Sequence, residues 1–334
     1  MPALDPDVEN LLELGRKAGR PPFEALTPEE ARTAYAASWD LLQPPAAEVA
    51  SVRDVAIPIK APGGAPNRAP SQAGDLRLRI YRGMGTAASD KLPCMVFLHG
   101  GGWVIGNLES HDRMCRRIAN TARICVVAVD YRLAPEHRFP AALEDSVAAL
   151  QWVANNVEDL NLAPGRISIG GDSAGGNLAA VVALMGRDGS APATMFQALI
   201  YPAVDLTALS DSYRRVTSGV PLTAATMHWF IDHYAPQHSD RLDWRASPMK
   251  ARSLAGTPPA LVMTVAHDPL CDEGRAYAKR LEDEGVRVTA LHLGDHIHGM
   301  LMHGKLVRAS NVVLDYVGVT IGEALHRGAP IGIR

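Results

Sequence analysis

The chain has 334 residues, 47% of them hydrophobic and 21% charged, with a formal net charge of −3. This is enough length and apolar content for a large globular core, in one domain with an insertion or in two domains. Charges of both signs are spread along the chain, so nothing suggests nucleic acid or an anionic membrane as a partner, and no apolar run nears the roughly 20 residues that a membrane helix needs.

The first residues, Met1-Pro2-Ala3-Leu4-Asp5-Pro6-Asp7, are acidic and lack the apolar core of a signal peptide. Four cysteines in a chain this long do not form a disulfide framework, and none has metal-ligand spacing with another. Cys94 and Cys125 lie in strand-like apolar runs and read as buried thiols, Cys115 in a helix-like segment. The expectation is a reduced, cytoplasmic protein.

Helices are expected over residues 7–19, where Val8, Leu11, Leu12 and Leu14 make an apolar stripe, and over 28–43. Thr27-Pro28-Glu29-Glu30 is a strong start for the second, with Thr27 as N-cap and Glu30 three residues on. A two-residue period follows over 49–60 and again over 75–82, predicting an antiparallel strand pair at a sheet edge. The Pro-, Gly- and Asn-rich stretch 61–74 between them reads as a loop.

From residue 93 the rhythm changes. Cys94–Leu98 and Ile124–Val129 are unbroken apolar runs, as in strands covered on both faces, and helix-like segments at 110–121 and 140–156 alternate with them. The alternation continues with strand 166–170, helix 175–187, strands 196–201 and 260–266, helix 272–284, strand 286–293 and helix 301–324. Such a pattern predicts an α/β fold, a mostly parallel sheet wrapped by helices. Residues 203–246 interrupt it with a helix-like Leu222–Tyr234 and several aromatics but no clear strand, and read as an insertion.

Within this frame one stretch carries chemistry. Ile167-Ser168-Ile169-Gly170-Gly171-Asp172-Ser173-Ala174-Gly175 passes from a β-branched run into an Ala- and Leu-rich helix, with Ser173 at the turn. The Gly171-x-Ser173-x-Gly175 spacing is that of a nucleophile elbow, a sharp bend that lifts a serine oxygen clear of the backbone. Taken alone it is equally compatible with a glycine-rich turn carrying an incidental serine. Three other features bear on the choice. His99-Gly100-Gly101-Gly102-Trp103 follows a strand some 70 residues earlier, where backbone N–H groups could serve an oxyanion. Asp268 follows the apolar run 260–266 and His298 follows strand 286–293, giving the chain order Ser, Asp, His at the carboxyl ends of strands.

The sequence resembles the hormone-sensitive-lipase family of α/β-hydrolases, also called bacterial family IV esterases. The matching segments are His99–Trp103, Tyr131–His137 with Phe139-Pro140-Ala141, Gly171–Gly176, Asp268-Pro269-Leu270 and His298-Gly299. The resemblance implies an α/β-hydrolase fold with a mostly parallel sheet of about eight strands. It implies a catalytic domain over 51–202 and 247–334, with a helical cap from 1–50 and 203–246. Ser173 would be the nucleophile, His298 the base and Asp268 its partner, with Gly101, Gly102 and Ala174 supplying the oxyanion hole. The implied activity is carboxylesterase action on short acyl chains of small-molecule esters, with no cofactor and no metal. A homodimer is left open. A non-catalytic small-molecule receptor would be expected to lose its serine or histidine, and a serine peptidase to carry a further large domain, so both rank behind the esterase.

Several residues depart from the family pattern: Met300 where Phe is frequent, His267 before Asp268, and Cys271 where Arg is frequent. Asp172, though beside the serine, faces away from the substrate side of an elbow and reads as structural, and Tyr131–His137 reads as a brace for the glycine loop. Four histidines crowd the C-terminal region. His292 sits within a strand pattern, His303 at the start of the final helix reads as a surface residue, and Gly299 favours His298 over His296 as the base. An imidazole base predicts activity that rises from mildly acidic to neutral pH. Histidines 228, 233 and 238 read as surface or cap residues.

Overall fold

The computed structural model describes residues 2–58 and 75–327; the loop expected over 61–74 lies outside them. Eight strands form one sheet: β1 (Ser51–Pro58), β2 (Asp75–Arg82), β3 (Leu92–Leu98), β4 (Cys125–Val129), β5 (Leu162–Asp172), β6 (Gln197–Ile200), β7 (Ala260–His267) and β8 (Val288–Ile297). Their order is β1-β2-β4-β3-β5-β6-β7-β8. The first two strands pair antiparallel at one edge, and β2 joins β4 antiparallel. Every other pairing is parallel.

The apolar runs fill both faces, as their lack of alternation implies. Cys94, Val96 and Leu98 of β3 point into one core layer, while Met95 and Phe97 point into the other. Helices α5 (Ala141–Asn155), α6 (Ala174–Arg187) and α10 (Cys271–Asp283) cover the first layer, and α4 (Leu108–Ala122) with α11 (Arg308–His326) cover the second. At about 25 cal/mol per Å² of apolar surface, two such layers supply the main driving force for folding.

The N-terminal segment holds α1 (Pro6–Ala18), α2 (Pro28–Ala36) and α3 (Trp39–Leu42). Thr27 and Glu30 form the expected reciprocal cap of α2. The single helix expected over 28–43 is broken, however. Ser38 turns its hydroxyl and its N–H onto the Tyr35 carbonyl at 2.6 and 3.0 Å, so the chain bends before α3 begins.

Residues 203–246 carry α7 (Asp211–Arg215), α8 (Ala224–Tyr234) and α9 (His238–Leu242) and no strand among the described residues. Both stems of this insertion meet one side chain: Asn177 Nδ2 donates to the carbonyls of Ala203 and Ala246, each at 2.8 Å. The insertion also packs on the N-terminal segment. Phe230 and Phe23 lie 6.0 Å apart between ring centroids, and Thr226 Oγ1 donates to Glu24 at 2.7 Å.

The last helix also differs from expectation. A 3-10 turn, Met300–Met302, follows β8, and α11 starts only at Arg308. The intervening residues dock on the N-terminal segment instead: the Lys305 N–H and ammonium group bond the carbonyls of Leu42 and Asp40. His303 therefore belongs to a tucked-in loop rather than to an exposed helix start.

Candidate active site

The sharpest backbone feature is Ser173. It joins β5 to α6 with φ +56° and ψ −117°, a conformation a side-chain-bearing residue adopts only under constraint. A Cβ on Gly171 or Gly175 would run into the Leu98 carbonyl of the neighbouring strand, so both positions must be glycine for the bend to fit. Ala174 is the first residue of α6, and its N–H has no acceptor within the helix. The positive end of the α6 dipole lies at the same place.

Two strand ends bring the other groups in. Asp268 follows β7 and is fully buried, and its Oδ1 accepts the Leu270 N–H at 2.8 Å. His298 follows β8, and Gly299 beside it takes the left-handed conformation that turns the chain. His298 Nδ1 lies 2.7 Å from Asp268 Oδ2 and Nε2 lies 2.9 Å from Ser173 Oγ. An ionised carboxylate only accepts, so Nδ1 carries the proton and Nε2 offers its lone pair to the serine hydroxyl. Tyr201 packs its ring 4.6 Å from the imidazole.

The structure thus joins Ser173, Asp268 and His298 in one hydrogen-bonded line. The other three histidines stay out of it. His292 Nδ1 pairs with Thr264 Oγ1 at 2.9 Å, and His296 Nδ1 with Asp295 at 2.6 Å. His303, expected at the surface, is instead largely enclosed near His298, and burial followed by that neighbour pushes its pKa down to about 4. On α8, His228 is exposed and His233 binds the Trp229 carbonyl; His238, the first residue of α9, is exposed.

The glycine loop turns directly off β3. Gly101 and Gly102 have φ +120° and +57°, and a Cβ at Gly102 would overlap the Phe230 ring. The Val104 and Ile105 N–H groups close back on the Gly101 carbonyl. The expected brace is present. Tyr131 Oη donates to the His99 carbonyl at 2.6 Å, its ring stacks on His99 at 4.1 Å, and Ala134 N–H donates to the Trp103 carbonyl. Two parts of this support had no signal in the sequence. Arg32 of α2 donates to the carbonyls of Val104 and Ala134, both at 2.9 Å, while its fork grips Glu136. Tyr234, the last residue of α8, stacks on Trp103 at 4.5 Å.

The departures from the family pattern leave the line of three intact. Cys271 is the first residue of α10, and burial with the nearby Asp268 pushes its thiol up to about 11, so it is not a reactive thiolate. His267 is buried and its pKa is lowered by desolvation. Met300 fills core space. Among the described residues no group of three or more His, Cys, Asp or Glu is placed to hold a metal ion, and no helix is long and apolar enough to cross a membrane.

Glu273 of α10 is a further buried group near the site. Its Oε1 accepts the N–H groups of Val204 and Asp205 at 2.8 and 3.2 Å, where the chain leaves β6 for the insertion. Burial pushes this carboxyl well above its ordinary range, against the pull of those two bonds, and Oε2 has no partner. The folded chain therefore keeps a proton that the unfolded chain releases. Stability from this group is present below the unfolded value and declines as pH rises toward the folded one, by about 1.4 kcal/mol per pH unit. Glu273→Gln keeps the accepting oxygen and cannot ionise. Its Tm is expected to match wild type near about pH 4 and to exceed it near about pH 8, by roughly 2–4 °C for each kcal/mol released. A lower Tm than wild type at the alkaline value contradicts this reading of Glu273.

A family model described as the alpha/beta hydrolase fold matches residues 95–302. Carboxylic ester hydrolase LipN of Mycobacterium tuberculosis is 43% identical over 238 residues, covering 70% of this chain and 62% of that protein. Ethyl acetate hydrolase of Pseudomonas putida is 34% identical over 330 residues, covering 97% and 99%. An ester hydrolase from the metagenome of Lake Arreo, solved with a derivative of bipyridine phosphonate, superposes with a TM-score of 0.87 at 39% identity, covering 96% of this chain and 98% of that one. The chain belongs to the hormone-sensitive-lipase-like branch of the α/β-hydrolase fold family and is a carboxylic ester hydrolase.

Proposed function

We propose that the chain hydrolyses short-chain acyl esters by two acyl transfers through Ser173. The observation that carries the reading is the unbroken line from Asp268 through His298 to Ser173, at 2.7 and 2.9 Å. His298 Nε2 takes the Ser173 proton as Oγ attacks the ester carbonyl. The N–H groups of Gly101, Gly102 and Ala174 receive the oxyanion, a contribution of about 10²–10³ in rate per donor. His298 then gives its proton to the leaving alcohol. Water attacks the acyl-serine with the same base, and the acid leaves.

Residues 1–50 and 203–246 act together as a helical cap over this centre, resting on the catalytic domain of 51–202 and 247–334. Support for a compact acyl site comes from Phe230, whose ring lies over Gly102, and from the buried Met227 one turn away on α8. The name of the Pseudomonas putida relative, ethyl acetate hydrolase, points the same way. Four free, buried thiols fit a reducing compartment such as the cytoplasm.

A panel of p-nitrophenyl esters tests the reading. Acetate and butyrate esters are expected to give kcat/KM well above the palmitate ester, with no jump in rate once substrate forms an emulsion. Neither cap segment offers a long apolar stretch for adsorption to an oil surface. Faster hydrolysis of emulsified long-chain triglyceride than of dissolved butyrate ester contradicts it.

A further inference from the structure

Asp172 precedes Ser173 and turns its carboxylate to the back of the elbow. Sequence alone makes it a structural residue, yet one of its partners lies in the glycine loop and the other on α4. Its Oδ1 accepts the Gly100 N–H at 2.9 Å and lies 3.1 Å from His111 Nε2, with Asp172 4% and His111 2% exposed. A Cβ on Gly100 would overlap the Asp172 carboxylate, so that position stays bare to let the carboxylate approach. The Gly100 carbonyl is held from the other side by His99 Nδ1 at 2.8 Å.

His111 has a polar neighbour at each ring nitrogen. The Ser110 hydroxyl accepts the Asn107 N–H at 2.9 Å and spends its single proton on the Asn107 carbonyl at 2.7 Å. His111 Nδ1 lies 2.8 Å from the same oxygen, and Nε2 lies 3.1 Å from Asp172 Oδ1 and 3.3 Å from the Gly100 nitrogen. A buried imidazole thus stands against both the buried carboxylate and the Gly100 peptide nitrogen. Burial raises the Asp172 pKa, but His111, the Gly100 N–H and His99 outweigh it and hold the carboxyl below its ordinary range.

We propose that Asp172, held by His111, is a positioning residue for ester hydrolysis: it fixes the peptide planes on either side of Gly100 and so aims the Gly101 and Gly102 N–H groups at the oxyanion. This rests on the assignment of Ser173 and the glycine loop made above. In a trans peptide the C=O and the following N–H point in opposite directions. Pinning the Gly100 N–H to Asp172 and its C=O to His99 therefore drives the Gly101 N–H toward the serine. His111 has a second effect. It gives a buried carboxylate a polar neighbour, 3.1 Å from Oδ1, in a poorly screened interior.

The test uses kcat and KM for p-nitrophenyl butyrate, with the inhibition constant of a trifluoromethyl ketone that forms a tetrahedral adduct on serine. In Asp172→Asn, kcat is expected to fall about tenfold to a hundredfold, less than outright loss of a donor. KM should move less than about threefold, and the ketone should weaken by the same factor as kcat. His111→Gln should lose more, because it takes the ring away from both the buried carboxylate and the Gly100 nitrogen. The double variant should return to within about threefold of Asp172→Asn alone, a non-additivity expected of groups in one pair. A folded Asp172→Asn enzyme with wild-type kcat, a kcat loss without weaker ketone binding, or additive losses in the double variant each overturns the proposal. If Asp172→Asn does not fold, Ser110→Ala removes the Nδ1 partner of His111 and should lower kcat and ketone affinity in parallel; unchanged values overturn it. Ser173→Ala in the same assay separates the two assignments. Activity retained there sinks the Ser173 reading, whereas an inactive Ser173→Ala with an unaffected Asp172→Asn sinks only the role of Asp172.

Discussion

Ser173→Ala is expected to lower kcat toward short-chain esters by about 10⁶ while leaving the fold intact. That factor is the loss seen when a subtilisin-type nucleophile is removed, the residual rate coming from binding and the oxyanion hole. The fold should tolerate the change well. The substitution removes one oxygen from a residue that is 8% exposed, and the elbow geometry is imposed by Gly171 and Gly175, not by the serine side chain. The Tm should stay within about 2–4 °C of wild type, or about 1 kcal/mol for a domain of this size. A purified, folded Ser173→Ala protein keeping more than a few per cent of wild-type turnover means that the nucleophile lies elsewhere.

The second large effect concerns the base and its partner. His298→Ala should be nearly inactive, while His296→Ala keeps most of its kcat. The reason is placement: His296 spends Nδ1 on Asp295, whereas His298 alone bridges Asp268 and Ser173. Asp268→Asn should also be severe, by about 10⁴ if the chymotrypsin-like case transfers. An amide at that position can donate to Nδ1, which moves the imidazole proton to Nε2 and removes the lone pair facing the serine. KM should change little in each variant, because these groups act on the transition state and not on the bound ester. Loss of activity in His296→Ala with survival of His298→Ala would move the base to His296.

Some of this site was legible in the chain and some was not, for physical reasons. The elbow could be read because a serine at a left-handed bend needs bare neighbours two residues away on each side. Strands β3 and β4 could be read because burial on both faces removes the alternation of polar and apolar residues. Asp268 and His298 could be placed because each follows an apolar run at the end where an open parallel sheet builds its site. The supports were hidden. Arg32 reaches the glycine loop across 72 residues of sequence, and nothing local in α2 marks it. His111 meets Asp172 only because the start of α4 returns over the sheet, its ring 6.2 Å from that of Phe97 on β3. The break in the helix expected over 28–43 turned on one serine hydroxyl, and the late start of α11 on where residues 303–307 dock. The first is a local side-chain bond and the second a tertiary contact, and a helical period carries neither. His303 follows from the same docking: it lies half-buried in the loop before α11 and not on an exposed helix start.

The central claim is that Ser173 carries the acyl group during turnover. The most direct measurement is intact mass and peptide mapping after reaction with a p-nitrophenyl alkylphosphonate, which loses p-nitrophenol and leaves a stable phosphonyl group on the attacking oxygen. The account predicts one phosphonyl group per chain, located on the peptide containing Ser173, with activity lost in proportion to labelling and no label taken up by Ser173→Ala. Full inactivation with the label on another residue, or a fully labelled Ser173 in an enzyme that still turns over, contradicts it.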